Sequence, residues 1–277
     1  MTLEKIPLVA VLGSPVAHSK SPLLHGFWLK QFGISGHYIP IAVKATDLEQ
    51  VLQTLPKMGF VGANVTLPHK EKILSIADQI SDRAALIGAA NTLVFQPDGK
   101  LYADNTDGYG FIENIRQHAP DWQAKDGPAL VLGAGGAARA IVSALLEAGA
   151  PEVYISNRTR SRADQIKSDF GNRVNVVEWV KASTEIEHTH TLVNTTSLGM
   201  TGKPALNISL KGLRPETLVT DIVYTPLETE FLQAARSKGS TVVDGLGMLI
   251  HQAVPGFERW FGQKPVVDQE IRDILIP

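Results

Sequence analysis

The amino-acid sequence predicts an α/β protein of two domains, an N-terminal open mixed sheet followed by a C-terminal doubly wound parallel sheet. From Pro128 onward, short runs of β-branched residues alternate with helix-like stretches, the pattern of parallel strands joined by crossover helices. Upstream, a similar alternation ends in two strand-like runs that flank Pro97, Asp98 and Gly99, which is typical of an antiparallel hairpin. A hairpin added to parallel strands makes the first sheet mixed.

The first domain is predicted to place two helices between its strands. Ser21 as an N-cap, followed by Pro22 in the first turn, predicts a helix that ends near Gly33. Thr46, with Glu49 three residues later, forms a capping box and predicts the start of the next helix. Strands are predicted at residues 8–12, 37–43, 62–66, 91–95 and 100–104.

The second domain is predicted to contain six strands, at residues 129–132, 152–156, 174–177, 191–195, 218–223 and 241–243. A connector helix over residues 107–118 precedes them. Helical spacing of apolar residues continues over 245–261 and 268–276, where no sheet is left to cover, so we expect these helices to return to the first domain. The predicted domains are therefore residues 1–106 with 245–277, and residues 107–244.

The amino-acid composition excludes several classes of protein. The 277 residues are 44% hydrophobic and 19% charged, which excludes disorder, and 26 basic against 28 acidic residues leave no basic surface for nucleic acid or a membrane. Without cysteine there is no disulfide, thiolate metal site or cysteine nucleophile, and the eight histidines form no helical pair with an acidic partner, so no metal site is predicted. No apolar stretch approaches the roughly 20 residues that span a bilayer. We expect a cytoplasmic monomer or homodimer.

A glycine-rich turn lies between the first strand of the second sheet and the helix that follows. It comprises Gly133, Ala134, Gly135, Gly136 and Ala137. Glycine at these positions permits a tight turn and removes a Cβ that would block a pyrophosphate, and the helix N-terminus supplies amide donors. This context predicts a Rossmann dinucleotide site, with a purely structural glycine turn as the alternative.

The end of the next strand predicts which dinucleotide binds. A carboxylate there would bind the ribose 2′-hydroxyl of NAD, but the chain has none and instead carries Asn157, Arg158, Thr159, Arg160 and Arg162. Guanidinium groups form charge-assisted bonds to phosphate, and cations at a helix start oppose the helix dipole unless an anion is near. These residues favour NADP over NAD, and the alternative is a solvated basic helix start.

Four polar motifs follow strand ends or begin helices in the first domain. They are His18-Ser19-Lys20-Ser21-Pro22, Asn64-Val65-Thr66-Leu67-Pro68-His69-Lys70, Ala90-Asn91-Thr92 and Asp104-Asn105-Thr106-Asp107-Gly108. Each alone has an ordinary interpretation as a cap, a turn or a solvated charge. Because ligands of open α/β sheets bind beyond the carboxyl ends of strands, their shared placement predicts one cleft for a small polyhydroxylated substrate.

With these motifs the whole chain resembles the shikimate dehydrogenase (shikimate/quinate dehydrogenase) family, whose NADP-dependent members reduce 3-dehydroshikimate to shikimate in aromatic amino-acid biosynthesis. The resemblance rests on the four motifs, the glycine turn, Asn-Arg-Thr at 157–159, and the stretches Asp-Ile-Val-Tyr-Thr-Pro at 221–226 and Asp-Gly-Leu-Gly-Met-Leu-Ile-His-Gln at 244–252. Two departures are mild: Ala138 stands for a third glycine, and Leu198 varies a small or proline position.

The resemblance implies a role for each matching residue. Ser19 and Ser21 would hold the substrate carboxylate, and its ring and hydroxyls would be surrounded by Asn64, Thr66, Asn91, Tyr224 and Gln252. Asn157, Arg158, Thr159 and Arg162 would bind the 2′-phosphate of NADP, and Ile222, Gly245 and Met248 would lie near the nicotinamide. Lys70 and Asp107 would be the catalytic pair.

Hydride delivery to a ketone leaves negative charge on oxygen, which the protein must neutralise. The hypothesis is that Lys70 protonates this oxygen and that Asp107 orients the substrate hydroxyl and the ammonium group. Two alternatives remain: a quinate/shikimate dehydrogenase that uses NAD or NADP, and a non-catalytic NADPH-binding protein of the same fold.

Overall fold

The computed structural model describes residues 6–276, which divide into two compact units. The first contains the residues through Thr106 and those from Ile250 onward, and the second contains Asp107–Leu249. The strands are β1 Leu8–Gly13, β2 His37–Ala42, β3 Phe60–Val65, β4 Gln79–Ile80, β5 Thr92–Phe95, β6 Leu101–Asp104, β7 Ala129–Leu132, β8 Val153–Ser156, β9 Val174–Val177, β10 Thr191–Asn194, β11 Leu218–Asp221 and β12 Val242–Val243.

Helices cover these strands in both units. They are α1 Ser21–Gln31, α2 Leu48–Thr54, α3 Asp82–Ile87, α4 Asp107–His118, α5 Gly136–Glu147, α6 Arg160–Phe170, α7 Ala182–Glu185, α8 Glu230–Arg236, α9 Leu246–His251, α10 Val254–Phe261 and α11 Gln269–Leu275. The terminal helices α10 and α11 belong to the first unit, where α10 packs on β3 and β5 and α11 packs on α1. Within the described residues, no helix is long and apolar enough to cross a membrane.

The sheet of the first unit has the order β2-β1-β3-β5-β6-β4. β1 runs parallel to β2 and β3, the hairpin strands β5 and β6 run antiparallel to each other and β5 to β3, and β4 is parallel to β6. The predictions of a mixed sheet and of an antiparallel hairpin are therefore confirmed, but the hairpin does not close the sheet, because β4 forms the edge beside β6. The register sets Asn64 opposite Thr92 and Thr92 opposite Asp104, so polar residues of three adjacent strands form one row.

The sheet of the second unit has the order β12-β11-β10-β7-β8-β9 and is parallel throughout, as predicted. Alternate residues of β7 enter two different hydrophobic clusters: Ala129 and Val131 join one, and Leu130 and Leu132 join the other. Both faces of the strand are buried, which explains its continuous apolar sequence.

The predicted helix caps of the first unit are wrong. Ser21 lies inside α1, whose N-cap is Lys20, and the backbone N–H of Ser21 donates to the hydroxyl of Ser19. In front of α2 the N-cap is Asp47, and the hydroxyl of Thr46 donates to the Asp47 carboxylate rather than capping the helix. Neither helix has a side-chain hydrogen bond at its N-cap.

The predicted helix over 245–261 is two helices, α9 and α10, with a break at 252 and 253. Pro255 lies in the first turn of α10, where its missing N–H costs nothing, whereas within a continuous helix it would clash with the preceding turn.

The structure adds β4 and α3, which the sequence analysis missed. β4 has only two residues, and the cap of α3 is Ser81, whose hydroxyl accepts from Ala84 N–H.

Candidate active-site and cofactor-binding residues

A buried polar cluster occupies the row where β3, β5 and the end of β6 meet. The side-chain oxygen of Asn91 accepts hydrogen bonds from the backbone N–H of Thr106 at 2.9 Å and from the hydroxyls of Thr106 and Thr92 at 3.1 and 2.9 Å. Its amide nitrogen donates to Gln252 Oε1 at 3.3 Å. Asn91 is thereby fixed between the hairpin, the segment leading to α4 and the C-terminal segment.

Asn64 joins this cluster from β3. Its amide nitrogen donates to the backbone carbonyl of Asn91 at 3.0 Å and to the hydroxyl of Thr92 at 3.3 Å. Its oxygen accepts from the Tyr38 hydroxyl at 2.7 Å. Three of the predicted substrate residues, Asn64, Asn91 and Gln252, are therefore brought together by direct hydrogen bonds. Tyr38, which holds Asn64, was missed by the sequence analysis, and Thr92 stood in one of the four motifs without a role of its own.

The two serines predicted to hold a carboxylate lie in the turn that begins α1. Ser21 is buried. Ser19 is half-buried and accepts the Ser21 N–H at 3.2 Å. Hydroxyl groups in this turn can donate to an oxyanion.

Thr66 and Lys70 lie in the turn after β3. The backbone N–H of Thr66 donates to Leu12 at 2.9 Å, and the carbonyl of Lys70 accepts the N–H of Ala90, which precedes Asn91. His69 is buried, and its Nε2 lies 2.9 Å from the carbonyl oxygen of Val43. These bonds fix the backbone of the turn that carries the half-buried Lys70.

A buried carboxylate anchors the segment between β6 and α4. Asp104 accepts from the Ser81 hydroxyl at 2.6 Å, from Asn105 N–H at 2.8 Å, and from the guanidinium groups of Arg83 and Arg259, the latter at 2.6 Å. Burial acts to raise the pKa of Asp104, but the hydrogen bonds and charges of these partners outweigh it and lower the pKa to about 2. Asp104 is thus a structural anion for this segment.

The glycine turn of the second unit connects β7 to α5. Gly133 has φ +110°, and a Cβ there would lie 2.5 Å from Thr195 Oγ1, so only glycine fits. Ala134 is buried and Ala137 half-buried, whereas added Cβ atoms at Gly135 and Gly136 would meet nothing within 4 Å. The protein itself therefore does not require glycine at 135, the N-cap of α5, where a pyrophosphate would approach the helix N-terminus.

The segment after β8 carries the predicted phosphate-binding residues. Asn157 donates to the carbonyl of Thr159 at 2.8 Å, which shapes the turn before α6. Arg160 pairs with Asp164 and Glu178, whereas Arg158 and Arg162 are exposed and form no ion pair with any residue in the described part of the chain. Two guanidinium groups are thus available to an anion at a helix start that contains no acidic residue.

The other predicted residues of the second unit lie at helix starts and strand ends. Asp107 is the buried first residue of α4. Gly245, at the start of α9, is packed so tightly that a Cβ would lie 2.4 Å from the Ile222 carbonyl, and Met248 is buried in the core. Burial raises the pKa of the half-buried Tyr224.

Asp221 fixes the loop that carries Ile222 and Tyr224. It accepts from Asn194, from the N–H of Val223 and from the Thr229 hydroxyl, at 2.8 to 3.0 Å, and burial raises its pKa. Over residues 6–276 no three or more His, Cys, Asp or Glu side chains lie together as a metal site would require.

Three family models match the chain: shikimate dehydrogenase substrate binding domain at residues 11–93, shikimate/quinate 5-dehydrogenase at 115–204, and shikimate 5′-dehydrogenase C-terminal domain at 245–269. The chain is 62% identical over 276 residues to the shikimate dehydrogenase (NADP(+)) of Roseobacter denitrificans, covering 100% of both.

Two solved structures extend the comparison. Shikimate 5-dehydrogenase from Thermus thermophilus in complex with NADP(H) and shikimate is 38% identical, with a TM-score of 0.86 over 98% of both chains. Quinate dehydrogenase from Corynebacterium glutamicum in complex with NAD is 30% identical, with a TM-score of 0.90 over 99% of both.

Proposed function

The chain belongs to the shikimate dehydrogenase family, and we propose from this that it is an NADP-dependent oxidoreductase that reversibly reduces 3-dehydroshikimate to shikimate. One observation of the structure carries the proposal: three of the five residues implied to bind the substrate ring, Asn64, Asn91 and Gln252, are joined by hydrogen bonds in one cluster. A cluster of amides and hydroxyls suits a ligand with several hydroxyl groups.

In this proposal residues 1–106 with 245–277 bind the substrate, and residues 107–244 bind NADP. Ser19 and Ser21 donate hydroxyl hydrogen bonds to the carboxylate of the substrate. The ring and its hydroxyls contact Asn64, Thr66, Asn91, Tyr224 and Gln252. The observed hydrogen bonds among Asn64, Asn91 and Gln252 support this role, because they fix the amides before a ligand arrives.

The residues of the glycine turn and of the turn after β8 fit NADP. Open space at Gly135 and Gly136 admits the pyrophosphate at the start of α5, with Gly133, Ala134 and Ala137 shaping the turn. Arg158 and Arg162, with Asn157 and Thr159, bind the 2′-phosphate. Ile222, Gly245 and Met248 contact the nicotinamide. When bound, NADPH supplies the hydride of the reaction.

Lys70 and Asp107 carry the acid–base chemistry. The carbonyl carbon of 3-dehydroshikimate gains a hydride and its oxygen gains a proton, so that the ketone becomes an alcohol. We assign the proton donor to the ammonium group of Lys70, and to Asp107 the orientation of the substrate hydroxyl. In the direction of oxidation the Lys70 amine accepts the same proton.

The assay follows NADPH and NADH absorbance with 3-dehydroshikimate, shikimate and quinate. We expect the highest kcat/KM with NADPH and 3-dehydroshikimate. The fold similarity to the quinate dehydrogenase makes oxidation of quinate with NAD the second candidate function. Catalytic efficiencies for quinate and NADH equal to those for shikimate and NADPH would establish it.

The variant Lys70→Met should lower kcat about 100-fold or more while NADP binding is retained. Absence of turnover by the unaltered chain would refute an enzymatic function.

A further inference from the structure

A buried tyrosine outside the predicted site holds one of the proposed substrate residues. Tyr38, in β2, is 6% exposed, and its hydroxyl donates to the Asn64 oxygen at 2.7 Å. The ring stacks on His25 with centroids 4.0 Å apart and an interplanar angle of 5°, and it packs against Trp260. The phenol is therefore held at one position. Burial raises its pKa, which keeps it protonated.

Hydrogen-bond chemistry fixes which way the Asn64 amide faces. The backbone carbonyl of Asn91 can only accept, so the amide nitrogen must face it and the amide oxygen must face Tyr38. The two N–H groups of Asn64 are then used by Asn91 and by the Thr92 hydroxyl. What Asn64 can offer to a ligand is one remaining lone pair on its oxygen.

The Tyr38 hydroxyl has a single proton, which it donates in the hydrogen bond to the Asn64 oxygen. Removing that hydroxyl would free the Asn64 oxygen while leaving the aromatic packing of the ring in place.

We propose that Tyr38 is a positioning residue that, together with the Asn91 carbonyl, holds Asn64 as an acceptor only, so that Asn64 selects a substrate hydroxyl that donates a hydrogen bond. A carbonyl, ether or fluorine at the same ring position would place an acceptor against an acceptor. This inference rests on the proposed function, because it takes the ligand of Asn64 to be shikimate or its ketone. It adds to that function a reason for hydroxyl specificity at one ring position.

The first test compares Tyr38→Phe with Tyr154→Phe, which removes a hydroxyl bound to Glu152 on the surface of the second unit. Steady-state kinetics with shikimate and NADP should show the KM for shikimate rising about tenfold in Tyr38→Phe, with kcat and the KM for NADP within about twofold of the unaltered enzyme. Tyr154→Phe should change neither KM. Unchanged KM values in Tyr38→Phe would overturn the positioning role.

The second test uses shikimate analogues in which fluorine replaces each hydroxyl that is not oxidised, one at a time. Fluorine is close in size to a hydroxyl but cannot donate. In the unaltered enzyme one of these analogues should have an inhibition constant at least about tenfold above the KM of shikimate, and this penalty should shrink in Tyr38→Phe. If neither fluorine is penalised, or if the penalty is equal in both proteins, the inference is wrong.

The same measurements separate the two hypotheses. If the unaltered enzyme does not turn over shikimate, the proposed function fails. If it does turn over shikimate and the variant and analogue results are negative, only the positioning role of Tyr38 fails. A melting temperature for each variant completes the comparison: lower stability together with an unchanged fluorine penalty would assign Tyr38 a purely structural role.

Discussion

Replacing Asp104 with Asn should destabilise the first unit in a pH-dependent way. The carboxylate is fully buried, and its partners Arg83 and Arg259 have side chains that are 39% and 33% exposed. Its folded pKa of about 2 lies below the value of 3.8 expected in the unfolded chain. At about 1.4 kcal/mol per pKa unit this difference corresponds to about 2.5 kcal/mol, which solvent screening of the exposed guanidinium groups reduces to about 2 kcal/mol.

The sign of the pH dependence follows from the depressed pKa. The stabilisation by the Asp104 carboxylate is fully present above about pH 4 and is lost as the pH falls from 4 toward 2. The free energy of unfolding of Asp104→Asn should therefore be about 2 kcal/mol below that of the unaltered protein at pH 7, and about half as far below it at pH 3. Asparagine keeps the volume but removes the charge and replaces one acceptor oxygen with an NH2 group that cannot accept from the guanidinium groups.

Urea denaturation at the two pH values, followed by circular dichroism and tryptophan fluorescence, measures both free energies. Asp98→Asn is a suitable control, because this exposed carboxylate pairs only with Lys100 on the hairpin turn. A difference for Asp104→Asn below about 0.5 kcal/mol at pH 7, or one that does not change between pH 7 and pH 3, would refute the argument.

Three further outcomes are expected. Gly62→Ala should lower the free energy of unfolding by about 3 kcal/mol in urea titrations, because the new Cβ would lie 2.0 Å from the indole nitrogen of Trp260. Gly135→Ala should leave the melting temperature within a few degrees but raise the Kd of NADP by at least about tenfold in calorimetry, because its Cβ would meet only the cofactor. Arg162→Gln should lower kcat/KM for NADPH about tenfold and leave that for NADH unchanged, whereas Arg160→Gln, whose guanidinium is already paired with acidic residues, should alter neither.

Periodicity and turn chemistry were sufficient to predict the sheet architecture. β7 and β9 have the predicted bounds, and so has α4, because apolar runs and the glycine turn delimit them locally. The caps of α1 and α2 could not be predicted from capping residues, because neither helix begins with a side-chain hydrogen bond to its first amides. Tertiary pairing alone explains β4, a two-residue strand held by β6.

The candidate site likewise contains residues that the sequence could predict and residues that it could not. Residues in short motifs, such as Asn64 and Asn91, were predicted because the motif and its strand-end position are visible in one stretch of sequence. Tyr38 was missed, and Thr92 was placed in a motif without a role, since both act through hydrogen bonds to residues on other strands. Arg160 forms ion pairs and Arg162 forms none within the described residues. The sequence of this stretch gives no indication of that difference.

The C-terminal segment explains why the first unit depends on residues from both ends of the chain. Gln252 contacts Asn91, Arg259 contacts the Asp104 carboxylate, and the indole of Trp260 donates to Leu93 at 2.8 Å. All three partners lie on or beside the hairpin strands β5 and β6. Gly62 on β3 leaves the space that the indole fills.

These contacts attach the hairpin to α10 and to the segment before it. The hairpin in turn sets the positions of Asn91 and of the segment through Thr106, so α10 acts on the candidate site through the strands that it covers. The C-terminal helices, which follow the second sheet in sequence but belong to the first unit, therefore help to form the proposed substrate site.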